Sequence, residues 1–310
     1  MKVLQKYYKN IFIFDFNKTI NDIPSNFIFL NSLDNLEMEF DIIDISTPST
    51  THIIVLKSIL SKKIVFKKII IEKPLFSSQD EYNLLLSIFD SYKGLKNKIY
   101  VNEQYYSSKA LEKFSRSLNF NTINKISIDM SKNRLLDQIN GRFIDSNLEA
   151  YGIEIPHILA VLDYLKINLD EITIEENNHY IDKNNYNNQG VSIHFKINNI
   201  DIFITSFLGD FYVKGHFKIP NNMNRSLCIN EDNSINSSLK FDPVQNVERL
   251  YTEIRINDSI NYLFDNLLDN HYRNIIHDKL PNQYSLEKIL IINHLLLYLY
   301  KNKNTIYLGD

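Results

Sequence analysis

The sequence predicts an α/β half followed by an α+β half, and the order of its apolar runs carries that prediction. In the first hundred residues or so, short apolar runs alternate with helical patterns, which indicates a parallel sheet. Further along the chain, apolar runs follow one another, which indicates an open antiparallel sheet. We therefore expect one domain over residues 1–121 and a second over residues 122–310.

The apolar runs of the first half are nearly continuous, as is typical of strands that are covered on both faces. They lie at residues 11–15, 27–30, 41–46, 64–71 and 98–102. Helical patterns stand between them at residues 50–61 and 78–92. The alternation predicts a doubly wound parallel sheet.

The second half contains runs that alternate or stay apolar, and Asn198-Asn199 between two of them predicts a hairpin turn because Asn tolerates positive φ. These runs lie at residues 123–130, 171–176, 190–197, 200–208 and 211–218. Helices are expected at residues 150–165, 244–268 and 285–301, and loops at residues 184–189 and 221–239.

Charge and composition exclude several partners. The 34 Lys and Arg residues nearly balance the 37 Asp and Glu residues, so no positive field attracts nucleic acid. Cys228 is the single cysteine, which excludes an intramolecular disulfide and favours a reducing, cytoplasmic setting. No apolar run is long enough for a membrane span or a signal peptide. The histidines other than His157, which include His52, are not spaced like metal ligands, so no metal is expected.

The residues that carry chemistry stand where the predicted strands end. Glu72-Lys73-Pro74 follows the run Ile69-Ile70-Ile71, and Ser46-Thr47-Pro48 follows an earlier strand, with His52 at the start of a helix. In an open α/β sheet, the carboxyl edge of the strands is where ligands bind.

The TP-x-x-x-H segment followed by the E-K-P triplet resembles the glucose-fructose oxidoreductase and inositol dehydrogenase family (Gfo/Idh/MocA). The segment NEQY at residues 102–105 resembles that family's strand end on the nicotinamide side, and residues 150–165 resemble its helix with the catalytic histidine. The ordered set extends over residues 10–305. The resemblance implies a Rossmann-like first domain, a substrate domain built on an antiparallel sheet, and pairing into a homo-oligomer through that sheet.

The resemblance also implies an NAD(P)-dependent oxidation or reduction of a sugar-like or polyol substrate, with NAD or NADP as the cofactor. Lys73 would stabilise the alkoxide and His157 would act as the acid or base. The implied cofactor-side residues are Asp15, Ser46, Thr47, Pro48, His52, Glu72 and Asn102. The implied substrate-side residues are Tyr105, Arg134, Tyr151 and Glu154. The family often carries Asp four residues before the histidine, where this sequence has Ile153.

The main departure from the family pattern concerns the glycine-rich turn that holds a dinucleotide pyrophosphate. Gly94 is the first glycine of the sequence, so no such turn follows the early strands. If Asp15 ends the second strand of the usual fold, the first strand and its turn are missing. The sheet should then open between the neighbours of that strand, or they should pair directly. Three explanations stay open: a start downstream of the natural one or an eroded gene, a natural short form without dinucleotide, or cofactor binding by other contacts.

Structural roles compete with the functional ones. Lys73 could be a surface lysine before a turn, Asp15 a turn former, and His157 a packing residue, although Pro156 suggests that His157 stands in the first turn of a helix. Arg134 could belong to a solvated loop with internal ion pairs. The alternative function is a non-catalytic homologue that uses the cleft for binding or the sheet for oligomerisation.

Overall fold

The structure is a computed structural model, and it describes most of the chain with several gaps. The described residues are 3–15, 27–34, 36–132, 134, 147–209, 212–213, 217–218, 224–231, 236–241 and 250–308.

In the described residues, the first half is built from short parallel strands, as the apolar runs predict, and from three helices, of which the sequence predicts the first two. The strands are β1 (Ile11–Ile13), β2 (Phe27–Phe29), β3 (Glu39–Ile45), β4 (Val65–Ile71) and β5 (Ile99–Val101). The helices are α1 (His52–Ser61), α2 (Gln79–Ser91) and α3 (Lys109–Ser117). Helix α2 begins where the Ser78 side chain accepts a hydrogen bond from the Glu81 amide, which satisfies one orphan donor of its first turn.

The parallel strands form two separate sheets. Strand β1 pairs with β2, whereas β3, β4 and β5 form a second sheet in that order. In the usual order of a Rossmann-like sheet, the first strand would stand between β1 and β3. Across that boundary the rings of Phe12 and Phe40 meet edge to face at 5.7 Å. The sheet is thus open between the two neighbours, which is the first of the two arrangements that the sequence predicts.

In the part of the second half that the structure describes, one large sheet is accompanied by three helices. Its strands and helices are β6 (Ile123–Ser131), α4 (Glu149–Tyr164), β7 (Thr173–Asp182), β8 (Asn185–Ile197), β9 (Ile200–Phe207), β10 (Tyr212–Val213), β11 (Phe217–Lys218), β12 (Asn224–Glu231), β13 (Asn236–Phe241), β14 (Tyr251–Ile256), β15 (Ser259–Phe264), α5 (Leu267–Ile276), α6 (Leu286–Lys301) and β16 (Asn304–Leu308).

Nine of these strands form the sheet in the order β15-β14-β13-β12-β6-β9-β8-β7-β16. Most neighbours are antiparallel, and the pairs β6–β9 and β7–β16 are parallel. Strand residues alternate between buried and exposed, as Ile202 and Phe203 do, because α4 covers one face. The predicted hairpin turn is confirmed: β8 and β9 pair around Asn198, whose φ is 51°.

Three predictions about the second half are wrong. Residues 251–256 and 259–264 form the β14–β15 hairpin instead of a helix over 244–268, and the described helix there starts only at Leu267. Residues 185–189 belong to β8 instead of a loop. The predicted loop over 221–239 contains β12 and most of β13.

Packing joins the two halves through one continuous core. It includes Ile71 at the end of β4, Tyr105 after β5, Ile158 on α4 and Leu296 on α6, each 0% exposed. Because α4 packs against the segment after β5 as well as against the large sheet, its side chains reach the carboxyl ends of the parallel strands. Within the described ranges, no helix combines the length and the apolar character needed to cross a bilayer.

Candidate functional site

The carboxyl ends of β3, β4 and β5 meet at one edge and carry the predicted strand-end residues. The backbone ladder continues one residue past the strands, because the Glu72 amide donates to Ile45 O at 3.0 Å and the Asn102 amide donates to Ile71 O at 2.8 Å. The segments 46–48, 72–74 and 102–105 therefore lie side by side. In open parallel sheets this edge, at the carboxyl ends of the strands, is where ligands bind.

His52 joins two of these segments. Its Nδ1 lies 3.0 Å from Pro74 O and its Nε2 lies 2.8 Å from Thr47 O, and the residue is 1% exposed. Both ring nitrogens face backbone carbonyls. His52 therefore holds the loop that bears Thr47 and the loop that bears Lys73 in position relative to each other.

Glu72 and Asn102 form the next contact along this edge. Asn102 Nδ2 donates to Glu72 Oε1 at 2.6 Å. Burial raises the pKa of Glu72, and the nearby Asp44 carboxylate raises it further. The hydrogen bond from Asn102 lowers it but does not cancel the effect of burial. Asn102 Oδ1 is a buried acceptor without a hydrogen-bond partner in the described part of the chain. A buried acceptor of this kind calls for a donor, and an N–H or O–H group of a ligand would satisfy it.

Lys73 reaches from the end of β4 to α4. Its Nζ donates to Ile153 O and lies 3.4 Å from Gly152 O. Burial lowers the pKa of Lys73, and the carboxylates of Glu154 and Glu103 oppose that shift. The ammonium is thus held between helix carbonyls and acidic side chains.

His157 lies one turn further along α4 and pairs with Glu103. Its Nδ1 is 2.6 Å from Glu103 Oε1, and the two side chains are 7% and 2% exposed. Burial raises the pKa of Glu103 to about 8, although Lys73 and His271 lower it. The ring of Tyr105 packs 5.1 Å from the imidazole. A carboxyl that titrates near neutral pH beside an imidazole can store and release a proton.

Glu154 pairs with Arg225 of β12. Arg225 Nη2 donates to Glu154 Oε1 at 2.8 Å, and both side chains are at most 5% exposed. Burial alone would raise the pKa of Glu154, but Arg225, His157 and Lys73 lower it to about 2. Glu154 Oε2 is a second buried acceptor with no hydrogen-bond partner in the described ranges. Glu154 is therefore an ionised acceptor at neutral pH.

The structure thus brings Lys73, His157, Glu154, Glu72 and Asn102 together. Lys73 contacts carbonyl oxygens of α4 one turn before His157, and both Lys73 and His157 act electrostatically on Glu154. With Glu103 and Arg225, which pair with His157 and Glu154, the cluster draws its members from the ends of the parallel strands, from α4 and from the large sheet.

Other predicted residues lie at its margin or elsewhere. Ser46 and Pro48 are exposed, and Ser46 Oγ donates to Asp44 Oδ1 at 2.9 Å. Asp15 follows β1 and is half-buried. Arg134 donates its amide to Leu208 O at 2.9 Å, just past β6.

Tyr151 lies on another side of α4. Its hydroxyl donates to Asn177 Oδ1 at 2.6 Å, and its ring packs against His179 and Tyr300. Lys303 Nζ lies 6.0 Å from the centroid of its ring. These polar and ring contacts connect Tyr151 with β7 and the C-terminal end of α6 and not with Lys73 or His157, as far as the described residues show.

The prediction that Pro156 stands in the first turn of its helix is wrong. Helix α4 begins at Glu149, which places Pro156 in the helix interior. The buried apolar residues before Pro156 extend the helix by a further two turns, because they pack against the core.

Two residues of the cluster were missed by sequence reasoning. Glu103 follows Asn102 directly, so its strand-end position was a usable signal. Arg225 has no local signal, because it reaches Glu154 only through the pairing of β12 with β6. Within the described residues, no group of three or more His, Cys, Asp or Glu side chains is arranged to hold a metal ion.

No protein-family model and no curated protein sequence matches the chain. Solved structures match in fold. KijD10, a 3-ketoreductase from Actinomadura kijaniata in complex with NADP and TDP-benzene, superposes with a TM-score of 0.65 at 9% identity, over 92% of this chain and 85% of that one. A putative oxidoreductase from Erwinia carotovora atroseptica gives 0.65 at 10% identity, over 98% and 94%.

A third structure, the dehydrogenase MviM from Clostridium difficile, gives a TM-score of 0.59 at 14% identity, over 88% of this chain and 83% of that one. At such identities the likeness concerns the fold. The chain has the two-part architecture of these oxidoreductases, in which a Rossmann-like parallel sheet is followed by a larger, mostly antiparallel sheet.

Proposed function

We propose that the protein is an NAD(P)-dependent oxidoreductase that acts on a hydroxyl or carbonyl group of a sugar-like or polyol substrate. The observation that carries the proposal is that Lys73, just past the end of β4, contacts α4 one turn before His157, and His157 pairs with Glu103 just past the end of β5. Fold neighbours support the reaction class, since they include a ketoreductase crystallised with NADP and TDP-benzene. We assign the family Gfo/Idh/MocA as part of the same proposal.

The cofactor-side residues fit one half of a dinucleotide. Asn102 Oδ1 is a buried acceptor without a partner in the described ranges, and a nicotinamide carboxamide carries N–H donors. Thr47, Pro48, Glu72 and Asn102 would hold the nicotinamide end, and Asp15 the ribose. Because no glycine precedes Gly94, the pyrophosphate would need contacts other than a glycine-rich turn. When bound, the dinucleotide supplies or accepts the hydride.

The chain's own residues would handle the proton. The Glu103–His157 pair can hold a proton and release it near neutral pH, since the pKa of Glu103 is about 8. The Lys73 ammonium lowers the energy of negative charge on the substrate oxygen. Glu154 and Tyr105 would contact further substrate hydroxyls, with Arg134 and Tyr151 as outer substrate-side residues.

The first test is a titration of the purified protein with NADH and NADPH, followed by cofactor fluorescence. Binding with a micromolar Kd supports the enzyme, and no binding up to millimolar cofactor contradicts it. Turnover is then screened with a panel of sugars and polyols. We expect Lys73→Met and His157→Asn each to lower kcat by about 10²-fold. Lys57→Met, which changes an exposed lysine on α1, is the matched control. Unchanged rates in both site variants would remove these residues from the mechanism.

A second candidate is a non-catalytic homologue that uses the same cluster or the large sheet for binding. The division of the parallel strands into two sheets favours it, because the dinucleotide of a Rossmann-like fold lies over that region. The titration separates the two candidates. Association through the large sheet stays a prediction for either, and light scattering after size-exclusion chromatography measures it directly.

A further inference from the structure

Pro156 leaves a gap in the hydrogen bonding of α4. In an α-helix the amide of each residue donates to the carbonyl four residues earlier, and proline has no amide hydrogen. Gly152 O therefore cannot accept its usual helical bond, although both residues lie inside the 16-residue helix. A buried carbonyl without a donor is costly, so another donor is required.

Lys73 stands at this gap. Its Nζ lies 3.4 Å from Gly152 O and donates to the adjacent Ile153 O. An ammonium group has three N–H donors in fixed tetrahedral directions. When two are directed at the carbonyls of α4, the direction of the third is determined. Glu103 and Glu154 are the acidic groups that act most strongly on this ammonium.

We propose that Pro156 is a positioning residue that acts through Lys73. By withholding an amide hydrogen, Pro156 reserves Gly152 O for the Lys73 ammonium, and this contact orients the remaining N–H toward the site. The contact also ties the end of β4 to α4, which carries Glu154 and His157. The contact itself does not depend on the proposed function. Only the claim that the oriented Lys73 ammonium stabilises charge on the substrate oxygen rests on it.

A double-mutant cycle between Lys73→Met and Pro156→Ala tests the contact without cofactor or substrate. Pro156→Ala restores the amide, so Gly152 O regains a helical donor and no longer needs Lys73. We expect Lys73→Met to lower the folding equilibrium constant by about tenfold or more in the natural background, and by about threefold or less in the Pro156→Ala background. An equal loss in both backgrounds overturns the proposal.

Lys288→Met is the matched control. Lys288 also contacts α4, but through the Asp163 carboxylate at 3.0 Å. Asp163 lies seven residues beyond Pro156, about 10 Å along the helix. The effect of Lys288→Met should therefore be the same in the natural and the Pro156→Ala backgrounds, and unequal effects would show that Pro156→Ala disturbs the helix as a whole.

A second measurement decides the case in which Lys73→Met does not fold. Hydrogen exchange of the lysine ammonium groups is followed by 15N NMR in the natural protein and in Pro156→Ala, which keeps every lysine. We expect exchange at Lys73 to rise by about fivefold or more in the variant, with Lys288 unchanged. An unchanged Lys73 overturns the proposal. Because neither measurement uses a nucleotide, failure here is distinguishable from failure of the NADPH titration.

Discussion

Replacing Arg225 by methionine isolates the energetics of the buried cluster. The variant removes the cation that pairs with Glu154 Oε1 at 2.8 Å and leaves a carboxylate that is 3% exposed. The pKa of Glu154 is about 2, against an ordinary value of 4.5. At about 1.4 kcal/mol per pKa unit, this difference corresponds to about 3 kcal/mol, and it is the net result of Arg225, His157 and Lys73 acting against burial. Breaking a buried pair by removing one partner costs a similar amount, about 3–5 kcal/mol.

We therefore expect Arg225→Met to lower the free energy of unfolding by about 3 kcal/mol at pH 7. Urea unfolding followed by far-UV circular dichroism measures it, since the chain has no Trp. Arg255→Met is the control, because Arg255 on β14 is 50% exposed and lies 3.6 Å from Glu253. It should cost less than about 1 kcal/mol. A loss below about 1 kcal/mol for Arg225→Met would refute the buried-pair reasoning.

The same pair predicts a pH dependence. Because the folded-state pKa of Glu154 is depressed, its contribution is present above pH 4.5 and is lost as the pH falls from 4.5 toward 2. Arg225→Met should flatten the stability curve in that window. The double variant Arg225→Met with Glu154→Met, which removes both charges, should recover most of the lost stability.

Three further variants test other parts of the structure. Glu103→Gln should remove a loss of stability that the natural protein shows between pH 5 and pH 8. In that window the Glu103 carboxyl is ionised in the unfolded chain, where its pKa is 4.5, but stays protonated in the fold, where its pKa is about 8. Urea midpoints at both pH values measure it. Tyr151→Phe should cost about 1–2 kcal/mol, since it leaves the buried Asn177 Oδ1 without its donor. Gly209→Ala should cost about 1–3 kcal/mol, since its Cβ would lie 2.9 Å from the Asn188 Cα.

Matched controls accompany these variants. Glu175→Gln changes an exposed carboxylate on β7 and should leave the pH profile as it is. Tyr186→Phe changes a tyrosine that is 65% exposed and should be neutral. If Glu103→Gln keeps the natural dependence of stability on pH, the raised pKa of Glu103 is contradicted. An unchanged stability of Tyr151→Phe would contradict the Tyr151–Asn177 hydrogen bond, and an unchanged stability of Gly209→Ala would contradict the close approach of Gly209 to Asn188.

The parallel half was predictable because its strands are short, nearly continuous apolar runs, and β4 ends in Ile69, Ile70 and Ile71, which are all buried. The second half was harder, because Asn residues stand inside strands as well as in turns. Strand β8 starts at Asn185 since its register with β7 determines pairing there, against the low strand preference of Asn. Tertiary pairing outweighs local preference in such segments.

The β14–β15 hairpin shows a signal that was present but misinterpreted. Thr252 and Ile254 are buried while Tyr251 and Arg255 are exposed, a period of two that indicates a strand. Asn257, with φ of 53°, forms the turn between the two strands. Helical spacing over 244–268 was therefore the weaker interpretation.

From the residues alone, the candidate site was predictable where they follow strand ends, whereas His157 and Glu154 on α4 were implied by the family resemblance. Lys73 and Asn102 share one edge because parallel strands end together, and His157 reaches that edge because α4 packs beside it. Glu103 could have been included by the same reasoning. Arg225 could not, since its approach to Glu154 depends on a pairing between β12 and β6, which are about a hundred residues apart in sequence.

The buried charges themselves bear on the choice between the two proposed functions. Apolar side chains of similar volume often replace a buried ion pair at no cost in stability. Folding alone therefore does not explain why Glu154, Arg225, Lys73 and Glu103 are gathered at the strand ends. If the double variant at residues 154 and 225 is as stable as the natural protein but no longer binds NADPH or a polyol, the cluster serves the ligand. If it is equally stable and ligand binding is unchanged, the Glu154–Arg225 pair serves neither the fold nor ligand binding, and the assignment of Glu154 to the substrate side loses its physical basis.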